Sequence, residues 1–187
     1  MTGLLIVLGL AVVLVLAYVA LYNGLVARKN QVDNAFGSVE VMLKKRYDLI
    51  PNLVAAVKQY MAHEARLLER VVALRSQAMG ALSPEAKFKA EGELSAALRG
   101  LMVQVENYPD LKANQNVLQL QAALNEAEEQ ISAARRFYNS AVTDYNNAIE
   151  MFPSSLIAQS MRLERKPVFT LPEGERAAPN VGQLFGN

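Results

Sequence analysis

The chain has 187 residues, no cysteine, no tryptophan and a single histidine, His63. Without cysteine there are no disulfides, no thiolate zinc sites and no cysteine nucleophile. The compartment stays open, because a chain without thiols suits either redox condition. His63-Glu64 matches the start of a zinc-peptidase motif, which needs a second histidine four residues after the first so that both imidazoles share a helix face. Position 67 is Leu67, so the motif is not completed. Glu126, Glu128 and Glu129 cluster on one segment. Di-metal carboxylate bundles join such glutamates to Glu-x-x-His pairs, which one histidine cannot build. The cluster reads as a solvated acidic face. There is no Gly-rich phosphate loop, and Ser154-Ser155 has no base beside it. No nucleophile, base and orienting group can be named together, so the sequence predicts no enzyme, metal, cofactor or small-molecule substrate. A formal net charge of +1 gives no signal for nucleic acid.

Charge is also missing from the first 27 residues. Residues 3–22 form an unbroken apolar run which, as a helix, spans about 30 Å, the hydrocarbon thickness of a bilayer. Tyr18 and Tyr22 stand toward its far end, where amphipathic rings favour the interface, and Arg28 and Lys29 follow among the headgroups. A cleaved signal peptide and a buried core helix are the competing readings. Signal peptides begin with a basic region, which Met1-Thr2 does not supply, and the run exceeds a usual signal core, although Val15-Leu16-Ala17 resembles a weak cleavage site. The expectation is a permanent anchor over 1–27 in the bilayer of the cell (inner) membrane. The basic residues after it favour a helical domain on the cytoplasmic side, with the opposite orientation as the alternative.

After the anchor no strand-like alternation occurs, and apolar residues recur with the spacing of a coiled coil. The first seam reads Val32, Phe36, Val39, Leu43, Ile50, Leu53, Val57, Tyr60, Leu67, Val71, Leu74, Ala78, with Arg46 and Glu64 in seam positions. Gly80, Ser83 and Pro84 suit a helix end, an N-cap and a first helical position. A second seam runs Phe88, Leu94, Leu98, Leu101, Val105, Tyr108 up to Pro109. The third reads Val117, Leu120, Leu124, Ala127, Ile131, Ala134, Tyr138, Ala141, Tyr145, Ala148, Phe152, and its alanines let a neighbouring helix approach. Together these predict an all-α chain: a transmembrane helix, then an elongated antiparallel bundle over 28–158, then a mobile tail over 159–187.

Pro51 sits inside the first seam and predicts either a chain reversal or a kink. The seam keeps its phase across it and no glycine assists a turn, which favours the kink. A kink leaves backbone carbonyls without partners, and Arg46 and Asn52 are candidate donors, while Asp48 can pair with Arg46 or cap the new turn. Arg46 itself interrupts an apolar seam and is expected to be partly buried and paired with a carboxylate. Arg46, Asp48, Pro51, Asn52, Tyr138 and Tyr145 are the candidate structural or interaction residues. Residues 28–80 carry nine basic and five acidic side chains, and 83–151 six and ten. Mutual complementarity of the two halves accounts for this more simply than a basic face for a partner.

Two blocks carry a resemblance: YNGLVARKNQVDNAFGSVEVMLKKRYDLIPNLVAAVKQYMAHEARLLERVVALR at 22–75, and YPDLKANQNVLQLQAALNEAEEQISAARRFYNSAVTDYNNAIEMFPSSLIA at 108–158. With the membrane helix directly before them, they resemble the LemA family, in which tryptophan often stands where this chain has Phe36. The resemblance implies a four-helix bundle of bromodomain-like topology, which pulls against the phase argument at Pro51, and no enzyme activity. A relative takes part in magnetosome formation, and genes for a membrane zinc protease are frequent neighbours. Two functions follow as expectations: a membrane-tethered scaffold or adaptor whose helices bind other helices, copies of itself included, or a regulatory partner of a membrane enzyme such as that protease. Val142, Ile149, Leu118 and Phe137 widen the third seam and motivate a homo-oligomer.

Overall fold

The computed structural model describes residues 1–169, and the tail expectation for 170–187 lies outside them. Among these residues there are six α-helices, one 3-10 turn and no strand. The described residues divide into two compact units, 1–45 with 127–168, and 46–126 with Phe169. Helix α1 (Thr2–Lys58) begins in the apolar run and continues without a break into the folded part. The segment over 1–27, expected to be an anchor, is the first portion of this longer helix. Residues 1–20 are all exposed.

In the first unit, α1 pairs with α5 (Gln115–Glu150) in antiparallel register. Lys45 donates to Gln130 at 3.2 Å, and the Phe36 ring lies 5.7 Å from that of Tyr138. Each step forward on α1 is a step back on α5. Leu25, Val32, Val39 and Leu43 from α1 are buried, as are Ile131, Tyr138, Ala141 and Tyr145 from α5, so the 3.5-residue spacing places its residues inward on both helices. After the cis Phe152–Pro153 bond, α6 (Ser154–Ser160) buries Ile157 and Ala158. It closes with two reversed bonds, Arg162 N–H to Gln159 O and Leu163 N–H to Ala158 O, around a left-handed Arg162 at φ 51°. This is the cap usually built on glycine, and it turns the chain back along α5.

The second unit answers the question at Pro51. Helix α1 continues through the proline without reversing, as the phase of the seam favours, and the reversal comes later, at 59–64. The backbone N–H groups of Tyr60 and Met61 both donate to Val57 O, and a 3-10 turn (Ala62–Glu64) follows. Helix α2 (Ala65–Gly80) then returns antiparallel to the end of α1, so that Val54 and Lys58 share a groove with Leu68, Glu69 and Val72. The turn resets the seam by one residue: Met61 and Leu68 are buried, and Tyr60 and Leu67 are only half-buried. Helix α3 (Pro84–Val105) begins with Ser83 accepting from Ala86 N–H at 3.2 Å and Pro84 in its first turn, as the sequence predicts. A short α4 (Pro109–Lys112) leads to α5, which starts where the Asn114 carboxamide oxygen accepts from Asn116 and Val117 N–H.

A proline cannot donate to the carbonyl four residues before it, which here is Tyr47 O. The donor is supplied by Arg75 of α2, whose Nε–H reaches that oxygen at 2.7 Å. The sequence-based expectation assigned this task to Arg46 and Asn52. Arg46 is engaged elsewhere, and Asn52 is exposed. The correct arginine lies 28 residues away in sequence, and only the reversal at 59–64 brings it back. Arg75→Met should cost about 1–3 kcal/mol, the usual loss when a hydrogen bond from a charged donor disappears. In a Pro51→Ala background the helix supplies its own N–H, and the same substitution should cost clearly less in urea melts. Equal losses in both backgrounds would show that Arg75 does not serve this carbonyl.

Candidate functional site

Two polar constellations stand out, one in each unit. In the second unit the seam of α1 delivers Arg46 into the core, 1% exposed, and α3 delivers Glu91, 0% exposed. The Arg46 guanidinium pairs with Glu91 through Nη2 and donates from Nη1 to Ser95 Oγ at 2.8 Å. The Tyr47 hydroxyl donates to the other Glu91 oxygen. Both carboxylate oxygens are thus engaged by donors from α1. Two buried opposite charges hold each other where either alone would face a large desolvation cost. A buried pair of this kind suits holding helices in register rather than chemistry on a substrate. The carboxylate that meets Arg46 is Glu91, and Asp48 lies on the exposed side of α1. Pro51 and Asn52 are likewise exposed, so the six candidates do not form one site.

In the first unit, Tyr138 and Tyr145 act together. Residues 163–168 have no regular secondary structure and lie along α5 as a strap. The Tyr145 hydroxyl donates to Glu164 O at 3.1 Å and the Tyr138 hydroxyl to Pro167 O at 2.9 Å. Between them the Asn146 carboxamide donates to Lys166 O and accepts from Lys166 N–H, both at 2.9 Å. The strap runs antiparallel to α5, held through three backbone carbonyls and one N–H by side chains of that helix. The Lys166 ammonium pairs with Asp33 of α1 and lies 5.9 Å from the centre of the Tyr145 ring, and Arg165 pairs with Glu150 at 2.6 Å. The tail expected to begin at 159 is therefore fastened at least as far as Pro167. Burial, with Asp33 and Glu164 adding negative charge, raises the Tyr145 pKa above its ordinary 10.0.

The LemA family model matches residues 35–182. The chain belongs to the LemA family. Among its relatives, Protein LemA of Metamycoplasma hominis is 26% identical over 89% of this chain and 77% of that protein. Magnetosome protein MamQ 2 of Paramagnetospirillum magneticum is 24% identical over 86% of this chain and 70% of its own. Magnetosome protein MamQ of Magnetospirillum gryphiswaldense is 23% identical over 79% and 64%. None of these names denotes an enzyme. Both the buried ion pair and the strap fall inside the family match, and the apolar run falls before it.

Sequence reasoning missed Glu91, Ser95, Arg75 and Asn146. Glu91 had a signal: it fills the seam position three residues before Leu94, so the second seam carries a charge opposite in sign to Arg46 of the first. Asn146 had none, because asparagine beside a seam tyrosine reads as a surface residue. Among the described residues no group of three or more His, Asp or Glu side chains is placed to hold a metal ion, and His63 is exposed.

Arg46→Ala and Glu91→Ala should each destabilise the LemA fold by about 3–5 kcal/mol, the cost of stranding a buried charge. A double Arg46→Met/Glu91→Met variant should recover most of that loss in thermal melts. If either single variant matches the exposed control Glu93→Ala, the pair is not a buried one. Tyr145 gives a second readout. A hydroxyl whose pKa rises on folding lends stability below pH 10.0 and loses it as pH climbs through the raised folded value. Tyrosinate absorbance should include one late-ionising component that Tyr145→Phe removes. A titration unchanged by that substitution would contradict the bonded hydroxyl.

Proposed function

We propose that this LemA-family protein is a membrane-anchored helical scaffold or adaptor that acts through protein–protein contacts, with membrane organisation as its field. The observation that carries this reading is the state of residues 3–22. Within α1 lies a stretch long and apolar enough to cross a bilayer, and none of it is buried. A core helix of a soluble protein would be covered by its neighbours, and this one has only the outside to meet. The stretch also continues into the folded part as one helix, so cleavage near Ala17 would cut mid-helix. The magnetosome names of the MamQ relatives support a role at membranes.

Self-association is the first protein contact proposed, because Val41 and Phe137 leave large apolar surface exposed on the first unit. The regulatory reading, as partner of a membrane enzyme such as a zinc protease, would gain from an exposed polar patch at Arg46. Arg46 is buried, so that reading has no observation of its own. The bundle is proposed to face the cytoplasm of the inner membrane, because Arg28 and Lys29 follow the span while no charged side chain precedes it.

Membranes carrying Leu82→Cys as the only thiol test these parts together. Leu82 is fully exposed between α2 and α3. Carbonate washing should leave the protein in the pellet, lysine-directed crosslinking should give a dimer, and an impermeant maleimide should label only after lysis. Release by carbonate sinks the anchor, a monomer at every expression level sinks self-association, and labelling of intact cells reverses the orientation.

A further inference from the structure

Exposed apolar side chains cluster at one corner of the first unit. Met151 is 63% exposed, Phe152 79% and Leu156 61%, where α5 ends and α6 begins. Large side chains left this open in one place mark a surface with an apolar partner. The corner's position in the fold names that partner. Met151 lines a cavity with Gly24, Ala27 and Arg28 of α1. Those residues directly follow the apolar run, which ends at Tyr22. Lys45 meets Gln130, Phe36 meets Tyr138, and Met151 meets Gly24 in one antiparallel register. Continued by a residue or two, that register sets Phe152-Pro153 level with Tyr22. Helix α5 runs toward the apolar end of α1, so the corner after it points the same way.

We infer that the Met151–Phe152–Leu156 corner is a second membrane contact, which dips into the interfacial layer of the bilayer that α1 spans. This rests on the anchored reading above. Tyr18 and Tyr22, stacked at 6.3 Å, mark the level where amphipathic rings favour the headgroup boundary. Phe152 brings a third ring to that level from another element. The partner is the lipid of the same membrane, because a bilayer crossed by residues 3–22 already lies against this corner and no other partner has to be supplied. Side chains costly to expose to water enter a layer that receives apolar groups to a depth of about 5–10 Å. Two attachment points restrict the tilt and rotation that a lone helix would allow.

The chain has no tryptophan, so single-tryptophan variants report on chosen places. Full-length Phe152→Trp, placed in phosphatidylcholine vesicles, should lose emission when the lipids carry bromine near the carbonyl end of their chains. Leu156→Trp reads the same corner independently. Leu10→Trp reports the span, and Phe137→Trp, 52% exposed and about 20 Å farther along α5, reports the solvent. Quenching at 10, 152 and 156 but not at 137 supports the contact. Quenching at 10 with none at 152 or 156 overturns it and leaves the anchor standing. No quenching at 10 removes the anchor and the contact with it. Equal quenching at 137 shows general adsorption and overturns the specific corner.

Discussion

The carbonyl of Tyr47 has no N–H to meet along its own helix, and the way it is satisfied governs much of the second unit. Arg75 supplies the donor, and α1 continues through Pro51 as one helix that runs on to Lys58. Had the chain turned at Pro51, Ile50, Leu53 and Val57 would belong to two helices instead of one. The same contact ties α2 to α1 at a defined height, since a guanidinium reaching a single orphan oxygen fixes the returning helix to within a turn. Continuity of α1 and the position of α2 are therefore one constraint.

The Arg46–Glu91 pair adds a second restriction of a different kind. Leucine seams tolerate sliding by a heptad, because one apolar contact replaces another. A buried arginine facing a buried glutamate does not. Any slip would set each charge against apolar neighbours, at several kcal/mol per ion. Replacing both by apolar residues need not weaken the fold. What the pair contributes is discrimination among alternatives, and Ser95 and Tyr47 narrow it further by occupying specific lone pairs and protons.

The helical class, the apolar first stretch and most seam positions were legible in the sequence, because hydrophobic period is written directly in residue order. Val32, Val39, Leu43, Leu124, Ile131 and Tyr138 are buried as that period requires. The period fails where geometry leaves no local mark. The reversal at 59–64 has no glycine or proline, and its one visible trace is a shift of a single residue, from Tyr60 and Leu67 to Met61 and Leu68. Arg46 was legible as an anomaly. Its partner was hidden because the second seam was read as skipping a position, not as holding a glutamate. Arg75 was invisible, since the carbonyl it serves can be found from Pro51 but not the helix that returns to it.

The strap shows why patternless sequence is weak grounds for predicting mobility. Tyr138, Tyr145 and Asn146 bond to the strap's main-chain groups and make no demand there on side-chain type. A segment held by its backbone carries no hydrophobic period, so residues 163–168 look the same on paper as an unattached end. The binding information lies instead in α5, as polar groups on an otherwise apolar face. Those groups are costly to bury without partners. Two tyrosine hydroxyls on one stretch of seam therefore imply acceptors elsewhere in the chain. Lys166 and Asp33 then fix which part of the strap lies there, because their charges meet in one register. The inference from α5 to a bound segment needs no pattern in the segment itself.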